Sequence, residues 1–161
     1  MKWPPNATSG ILIAGTGIAG SSNNELNQPT ALHLDETNSL LYIADCQNHR
    51  IQLFYLNGSM NGTTVAGGNG AGAGSNQLNI PHGLYVSNKT GDIYVADTVN
   101  QRIQLWKKGA TSGLTIVGST GVSGVALSFL LGPTCVYLNR NETLMYVCDR
   151  YRHRVVRFSL I

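Results

Sequence analysis

Short apolar runs of about five residues recur along the chain, separated by stretches rich in Gly, Asn and Ser. The runs 83–86 and 93–97 are rich in β-branched and aromatic residues and carry apolar residues on both alternating faces. This composition is typical of β-strands. No run has a convincing helical period. The pattern predicts an all-β chain of short strands and turns.

The same succession of runs repeats every 52 residues. Three sets of landmarks keep this spacing: Pro29, Pro81 and Pro133; Asp45, Asp97 and Asp149; Arg50, Arg102 and Arg154. In each unit one strand follows the proline, a second ends at the aspartate and a third begins near the arginine. The first two units add a short fourth strand that closes on glycine. Such a period in an all-strand chain is typical of propeller blades.

The first two strands of each unit predict a hairpin. Placing Leu84 opposite Val95 and Tyr85 opposite Tyr94 gives one aliphatic face and one face of aromatic and small residues, because side chains alternate along a strand. A sheet that is apolar on both sides needs a neighbour on each side, as the blades of a propeller have.

The same register places Cys135 opposite Cys148, where the other units have Ala or Gly. A cross-strand disulfide or a buried dithiol is therefore expected there. Cys46 has no such partner and is interpreted as a small buried residue.

The segment 81–106 carries Tyr-Val-Ala-Asp-x-x-Asn-x-Arg-Ile-Gln after a Pro-x-Gly strand, and it resembles the NHL repeat. The resemblance covers nearly the whole chain. It implies an all-β propeller-type array of three four-stranded blades, half of a six-bladed propeller. We expect one propeller segment over 1–161, with units at about 15–66, 67–118 and 119–161. NHL-like propellers occur in tripartite-motif ubiquitin ligases, RNA-binding regulators, extracellular proteins and a peptide-amidating lyase, so the resemblance leaves the function open.

The third unit departs from this pattern at two positions. Arg152 stands where the other units have Asn48 and Asn100, and Arg157 stands where they have leucine. On a face that is apolar in the other units, Arg157 suits an exposed terminal surface that resists stacking.

The two ends of the chain are offset within the repeat. Residues 3–15 mirror 106–118, including Ala-Thr-Ser-Gly in both, so 3–14 are expected to complete a preceding or closing blade. Three blades are too few to close a ring. The sequence therefore leaves three possibilities: a homodimer that completes a six-bladed ring, a fragment of a longer array, or an open arc.

Composition adds little about function. Charged residues make up 12% of the chain and the net charge is +3, which does not indicate disorder. No apolar run approaches the roughly 20 residues that cross a bilayer, and the first residues do not read as a signal peptide. The last 22 residues hold five arginines against two acids. This basic end suits RNA or an acidic partner, while a solvated rim is the plainer interpretation.

Asparagines in Asn-x-Ser/Thr sequons fall in predicted turns or near the terminus. They are Asn6, Asn57, Asn61, Asn88 and Asn141. Their excess favours N-glycosylation and an extracellular location.

Motifs for catalysis or cofactor binding are weak. The run 15–20 matches G-x-G-x-x-G, but no helix follows it, so we interpret it as a loop. His33, His49, His82 and His153 lack the spacing of metal ligands,. We expect no catalytic, cofactor or metal site. The repeated Asp–Arg pairs either form a ring of charges on one rim or, as we favour, cap a turn and tie it to its neighbour.

The sequence favours a non-enzymatic scaffold that binds a protein, peptide or glycan through loops on one rim. Candidate contact residues are those that vary between equivalent positions: Gln47, His82, Thr98, Val99, Arg150, Tyr151 and Arg152. The alternative is an RNA-binding or substrate-recruiting propeller of the tripartite-motif ubiquitin ligase type. A peptide-amidating-lyase-like enzyme is the third possibility, and it would require a metal.

Overall fold

A computed structural model of the chain describes residues 10–119 and 126–160. These residues form eleven strands in three antiparallel sheets. The strands are β1 (Pro29–Asp35), β2 (Leu40–Asp45), β3 (Arg50–Tyr55), β4 (Thr63–Gly67), β5 (Pro81–Val86), β6 (Ile93–Asp97), β7 (Arg102–Trp106), β8 (Leu114–Gly118), β9 (Pro133–Leu138), β10 (Leu144–Asp149) and β11 (Arg154–Ser159).

Each sheet is a meander in which neighbours in sequence are neighbours in space. Strands β1 to β4 form blade 1, β5 to β8 form blade 2 and β9 to β11 form blade 3. The predicted all-β, propeller-type array is confirmed, although blade 3 has three strands within the described residues. One-turn 3-10 helices, Cys46–Asn48 and Arg150–Arg152, follow the second strands of blades 1 and 3. The described residues contain no helix long and apolar enough to cross a membrane.

The predicted hairpin register is confirmed in blade 2. Leu84 pairs with Val95 and Tyr85 pairs with Tyr94. The register shifts just after Pro81, which lies opposite Asp97. Proline lacks an N–H and fits the first position of a strand, so the same irregular start recurs in the other two blades.

The hydrophobic core lies between the blades. One face of blade 1 packs on blade 2 through residues that include Tyr42, Ile51, Leu84, Val95 and Trp106. The opposite face of blade 2 packs on blade 3 in the same way, through residues that include Tyr85, Ile103, Val136, Leu138 and Met145. Burying one aliphatic side chain completely contributes roughly 1.5–3 kcal/mol to the stability of the fold. A single sheet has no core of its own, so the contacts between blades stabilise the array.

An aromatic column runs through the first strands of the three blades. The rings of His33 and Tyr85 meet edge-on with centroids 5.1 Å apart, and those of Tyr85 and Tyr137 meet in the same way at 5.3 Å. Such T-shaped pairs add roughly 0.5–1.5 kcal/mol beyond their buried area. The 52-residue repeat therefore places one position of each unit in a single stack.

Cys135 and Cys148 face each other across β9 and β10 and are joined in a disulfide, with Cα atoms 5.1 Å apart. The equivalent position in blade 2 is Gly83, where a Cβ would lie against the backbone of Thr134 and Cys135. The disulfide thus lies on the outer face of blade 3, which the described residues leave uncovered. Cys46 is a free, buried cysteine, and burial raises the pKa of its thiol.

Residues 11–15 differ from expectation. They correspond to the fourth strand of a blade, but they form no strand in the structure, because none of the described third strands has a free edge beside them to supply hydrogen bonds. Residues 3–9 lie outside the described part of the chain. The run 15–20 continues as a loop, with a single bridge between Ala19 and Leu26. This agrees with its interpretation from the sequence as a loop rather than a nucleotide-binding turn.

Candidate binding rim

The blades present two rims of opposite character. The loops that join second to third strands, residues 46–49, 98–101 and 150–153, lie at the end where the first strands begin. We call this end the loop rim. The turns between first and second strands and between third and fourth strands lie at the other end, which we call the turn rim.

An aspartate–arginine pair fixes each loop of the loop rim. The Oδ2 atoms of Asp45 and Asp97 lie 2.7 Å from the Nε atoms of Arg50 and Arg102. In blade 3 the corresponding distance, from Asp149 to Arg154, is 2.8 Å. The three aspartates are completely buried. None of these carboxylates is therefore exposed to act as an acid, a base or a contact on the rim.

The guanidinium groups tie each loop to the linker that precedes its blade. Arg50 donates to the carbonyls of Ser21, Ser22 and Glu25 at 2.8–3.0 Å. Arg102 repeats this pattern on the linker of blade 2. Backbone carbonyls in a loop need such donors when burial removes water. This geometry supports the structural interpretation of the pairs.

Burial raises the pKa of Asp97, and its hydrogen bonds oppose that rise. Oδ1 accepts from the Asn79 N–H at 2.7 Å, and Oδ2 accepts from the side chains of Asn100 and Arg102 at 2.8 and 2.7 Å. A carboxylate with three donors and a paired cation is stabilised in its ionised form. In blade 3 the residue equivalent to Asn100 is Arg152. Its Nε is buried without a hydrogen-bond partner among the described residues.

The residue before each of these arginines has a left-handed backbone. His49, Gln101 and His153 have φ of 53°, 57° and 51°. The Nδ1 of His49 also accepts the N–H of Ile80, at 3.1 Å, which links the loop of blade 1 to blade 2. His49 and His153 are therefore turn residues. Among residues 10–119 and 126–160, no three His, Cys, Asp or Glu side chains are grouped to hold a metal ion.

His33 is a partly buried histidine in the aromatic column. Its Nδ1 accepts the N–H of Val86 at 3.4 Å, and its Nε2 is buried without a partner among the described residues. Burial lowers the pKa of His33, and the charge of Asp35 opposes this shift. Protonation would remove the acceptor on Nδ1 and place a charge between Tyr42 and Tyr85.

We expect His33→Tyr to reduce the loss of stability on acidification. A histidine with a lowered pKa in the folded state stabilises the fold fully above its unfolded pKa of about 6.5. That stability is lost as pH falls from there through the folded pKa. Tyr85 and Tyr137 show that the position accepts tyrosine. Urea unfolding at pH 7 and pH 5 measures the effect, and an equal pH 7-to-5 loss in both proteins would contradict this role.

Four of the predicted contact residues are exposed on the loop rim, as is His153. Gln47, Val99, Arg150 and Tyr151 are exposed. The Arg150 guanidinium lies 5.2 Å from the centre of the Tyr151 ring, in the range of a cation–π contact. Two further candidates, Arg152 and His82, are half-buried.

Thr98 is a correction to the predicted contact set. Its side chain is buried, and its hydroxyl donates to the carbonyl of Pro133 at 2.6 Å. Thr30, on β1 and not at the repeat position of Thr98, makes a similar bond from blade 1 to blade 2, to the carbonyl of His82 at 2.8 Å. Variation between units at position 98 therefore reflects contact between blades rather than an exposed surface.

The arginines of the basic end are spread over different surfaces. Arg150 lies on the loop rim, Arg140 lies in a turn of the opposite rim, and Arg157 lies on the outer face of blade 3. Strand β10 separates the two rims by about 20 Å at 3.3 Å per residue. The cluster seen in the sequence is therefore not one patch in the structure.

The described sequons all lie on the turn rim. Asn57 and Asn61 are exposed in the β3–β4 connection, and Asn88 and Asn141 are exposed between the first and second strands of blades 2 and 3. Asn6 lies outside the described residues.

A pocket between blades 1 and 2 was missed by the sequence reasoning. It has a volume of about 1140 Å³, and Tyr42, Leu53, Tyr55 and Trp106 are among the residues that line it. The Nε1 of Trp106 is buried and has no hydrogen-bond partner among the described residues. A signal was present, because tryptophan stands here where the other units have phenylalanine.

Comparison with known proteins agrees with this architecture. The family model described as NHL repeat matches residues 78–105. NHL repeat-containing protein 2 of Bos taurus is 34% identical over 99 residues, which are 58% of this chain and 13% of the bovine protein. The chain thus spans a small part of the length of this relative.

Two solved structures from Bacteroides thetaiotaomicron share the fold. One, described as an auxiliary nutrient binding protein, has a TM-score of 0.60 at 16% identity, over 78% of this chain and 36% of that one. The other, a structural genomics protein of unknown function, has a TM-score of 0.73 at 13% identity, over 92% of this chain and 39% of that one. At these identities the likeness concerns the fold alone.

Proposed function

Because this chain belongs to the NHL-repeat family, we propose that it is a non-enzymatic scaffold whose loop rim binds a protein or peptide segment that carries acidic residues. The repeated frame of aspartates and arginines holds the loops, and the variable side chains between them make the contacts. A rigid frame with variable loops is a common way to build a recognition surface.

The opposite character of the two rims carries this proposal. The four described sequons are exposed on the turn rim, whereas the loop rim exposes Val99, Arg150 and Tyr151. If glycans occupy the sequons, they cover one rim and leave the other accessible. Aromatic residues and arginine are also the side chains most enriched at the energetic centres of protein interfaces.

Charge on the loop rim supports an acidic ligand. The repeated aspartates of this rim are buried and paired, so their charge is not presented to solvent. The exposed ionised groups of blade 3 there include Arg150, held beside Tyr151. A guanidinium next to an aromatic ring binds a carboxylate and packs against the apolar part of the same ligand.

Fluorescence anisotropy with three labelled probes tests the proposal: a ten-residue peptide rich in glutamate, the same peptide with lysine in place of glutamate, and a ten-nucleotide uridine RNA. We expect the glutamate peptide to bind best. The loop-rim variant Arg150→Glu with Tyr151→Ser should raise its Kd at least about tenfold, since losing a charge-assisted contact costs about 1.5–3 kcal/mol.

The matched control changes charge on the other rim. Arg140→Glu with Lys89→Glu places two acids among the turns and should change the Kd of the glutamate peptide less than about threefold at 0.15 M salt. Equal losses in both variants, or preference for the lysine peptide, would contradict the assignment of the loop rim. RNA binding that weakens steeply with salt would instead favour the nucleic-acid alternative.

A further inference from the structure

Residues 11–15 already occupy the place of a fourth strand relative to blade 1. Gly15 has φ of 81°, as Gly67 and Gly118, which end β4 and β8, have 69° and 83°. A Cβ on Gly67 would meet the Leu78 side chain of the next blade at 2.9 Å, and one on Gly15 would meet Leu26, one repeat earlier, at 3.3 Å. The segment is thus packed on blade 1 as β4 is packed on blade 2.

This segment pairs with no strand among residues 10–119 and 126–160. Ile11 is 89% exposed, and Ala14 packs beside the cluster of Leu41 and Phe54 on the outer face of blade 1. The available edge is β11, on the far side of blade 3, where Val155 is 66% exposed. Two intervening blade interfaces keep this edge and residues 11–15 of one chain apart.

Residues 11–15 and β11 differ from the equivalent strands of blades 1 and 2 at two positions that would face each other. In blades 1 and 2 a threonine of the fourth strand donates to a glutamine of the third: Thr64 to Gln52 and Thr115 to Gln104, both at 2.8 Å. The equivalent positions at the two ends are Leu12 and Val156. Both members have changed from polar to apolar, as expected if they face each other in a strand pair.

The two end faces also match each other. Leu32 on the outer face of blade 1 is 64% exposed, whereas the equivalent Leu84 is 7% exposed between blades. Tyr137 on the outer face of blade 3 is 62% exposed, whereas the equivalent Tyr85 is 8% exposed. Each bare face therefore repeats one half of an interface that the chain already forms internally.

Arg157 is compatible with this arrangement, although the sequence predicted that it would resist stacking. It stands at the position of Leu53, which borders the pocket between blades 1 and 2. In an equivalent pocket between blade 3 and a further blade, Arg157 can pack its methylene groups against that blade and keep its guanidinium in water.

We propose that two copies of this chain join end to end as a two-fold symmetric ring of six blades. Residues 11–15 of each copy add to β11 of the other as an antiparallel fourth strand. The register of β3 with β4 places Gly15 opposite Arg154 and Leu12 opposite Val156 of the other copy. The outer face of blade 3 then covers the outer face of blade 1 of the other copy.

Sedimentation equilibrium of the 161-residue chain tests the assembly. We expect a mass twice the 17.2 kDa of one chain at micromolar concentration. Leu12→Pro should give a folded monomer, because proline removes a strand donor and residue 12 pairs with no strand in the described part of one copy. Thermal unfolding and circular dichroism of this variant report whether the blades remain folded.

A double-mutant cycle tests the register. Leu12→Thr and Val156→Gln each place a polar group opposite an apolar one, at both junctions of the ring. Each should raise the dimer Kd by about a hundredfold, from about tenfold per unsatisfied group. The double variant installs the Thr–Gln pair seen in blades 1 and 2 and should return the Kd to within about threefold of the wild type.

Three results would overturn the proposal: a monomer at 100 µM (about a hundredfold above the expected range), growth beyond the dimer, or a cycle in which the two substitutions act additively. The peptide-binding experiment is separate from this one, since Leu12→Pro leaves the loop rim unchanged. Loss of dimerisation and loss of peptide binding are therefore distinguishable.

Discussion

Asp97→Ala is expected to destabilise the chain by about 3–5 kcal/mol, because it leaves a buried cation without its partner. The Arg102 side chain is 5% exposed and its Nε lies 2.7 Å from the lost carboxylate. The substitution also removes the acceptor of the Asn79 N–H and of the Asn100 amide. Urea unfolding followed by circular dichroism gives the free energy of unfolding directly.

The same substitution one repeat later is the matched control. Asp149→Ala removes the partner of Arg154, whose side chain is 24% exposed and remains accessible to water. We expect this variant to lose roughly 1–2 kcal/mol less than Asp97→Ala, because a hydrated cation needs its counter-ion less. Equal losses at the two positions, or a loss below about 1 kcal/mol for Asp97→Ala, would show that burial of the arginine does not set the effect.

Trp106→Ala is expected to cost about 3–5 kcal/mol, the range for deleting a buried aromatic side chain. Trp106 is almost completely buried and belongs to the core between blades 1 and 2. It lies against Gly113, where a Cβ would meet the indole Nε1 at 2.6 Å. The substitution therefore opens a cavity beside a backbone that packs closely on the ring.

Trp106→Phe separates the effect of the buried indole N–H from the effect of losing the aromatic ring. Phenylalanine stands at the equivalent positions 54 and 158, and this substitution removes a buried N–H that has no partner among the described residues. Removing an unsatisfied donor regains about 1–3 kcal/mol of desolvation, which offsets much of the lost contact. We expect a net change within about 1 kcal/mol. A loss as large as that of Trp106→Ala would mean that the indole N–H is bonded in solution.

The periodic features of the fold were predictable because each unit repeats them. The register of Leu84 with Val95 followed from the alternation of side chains, and the blade order followed from the 52-residue spacing. Contacts between blades were harder to predict. Nothing local distinguishes Gly83, which has no room for a Cβ, from Ala31 at the same position.

The exposure of the candidate contact residues was predictable only in part, because it depends on contacts between blades. Gln47, Val99 and Tyr151 are exposed, as variation between units suggested. Thr98 varies equally but is buried, because a bond to the next blade rather than solvent occupies its hydroxyl. The basic end was misleading, because arginines close in sequence lie on opposite ends and faces of a blade.

The bonds that cross between blades also determine how the loop rim meets a ligand. The N–H of Ile80 donates to His49, and the hydroxyl of Thr98 donates to the carbonyl of Pro133, so the loops of blades 1 and 2 are each ordered by the blade that follows. The conformational entropy of these loops is consequently lost during folding rather than during association. A partner that spans two blades then meets a preorganised surface, and its binding should leave the loop backbone displaced by less than about 1 Å.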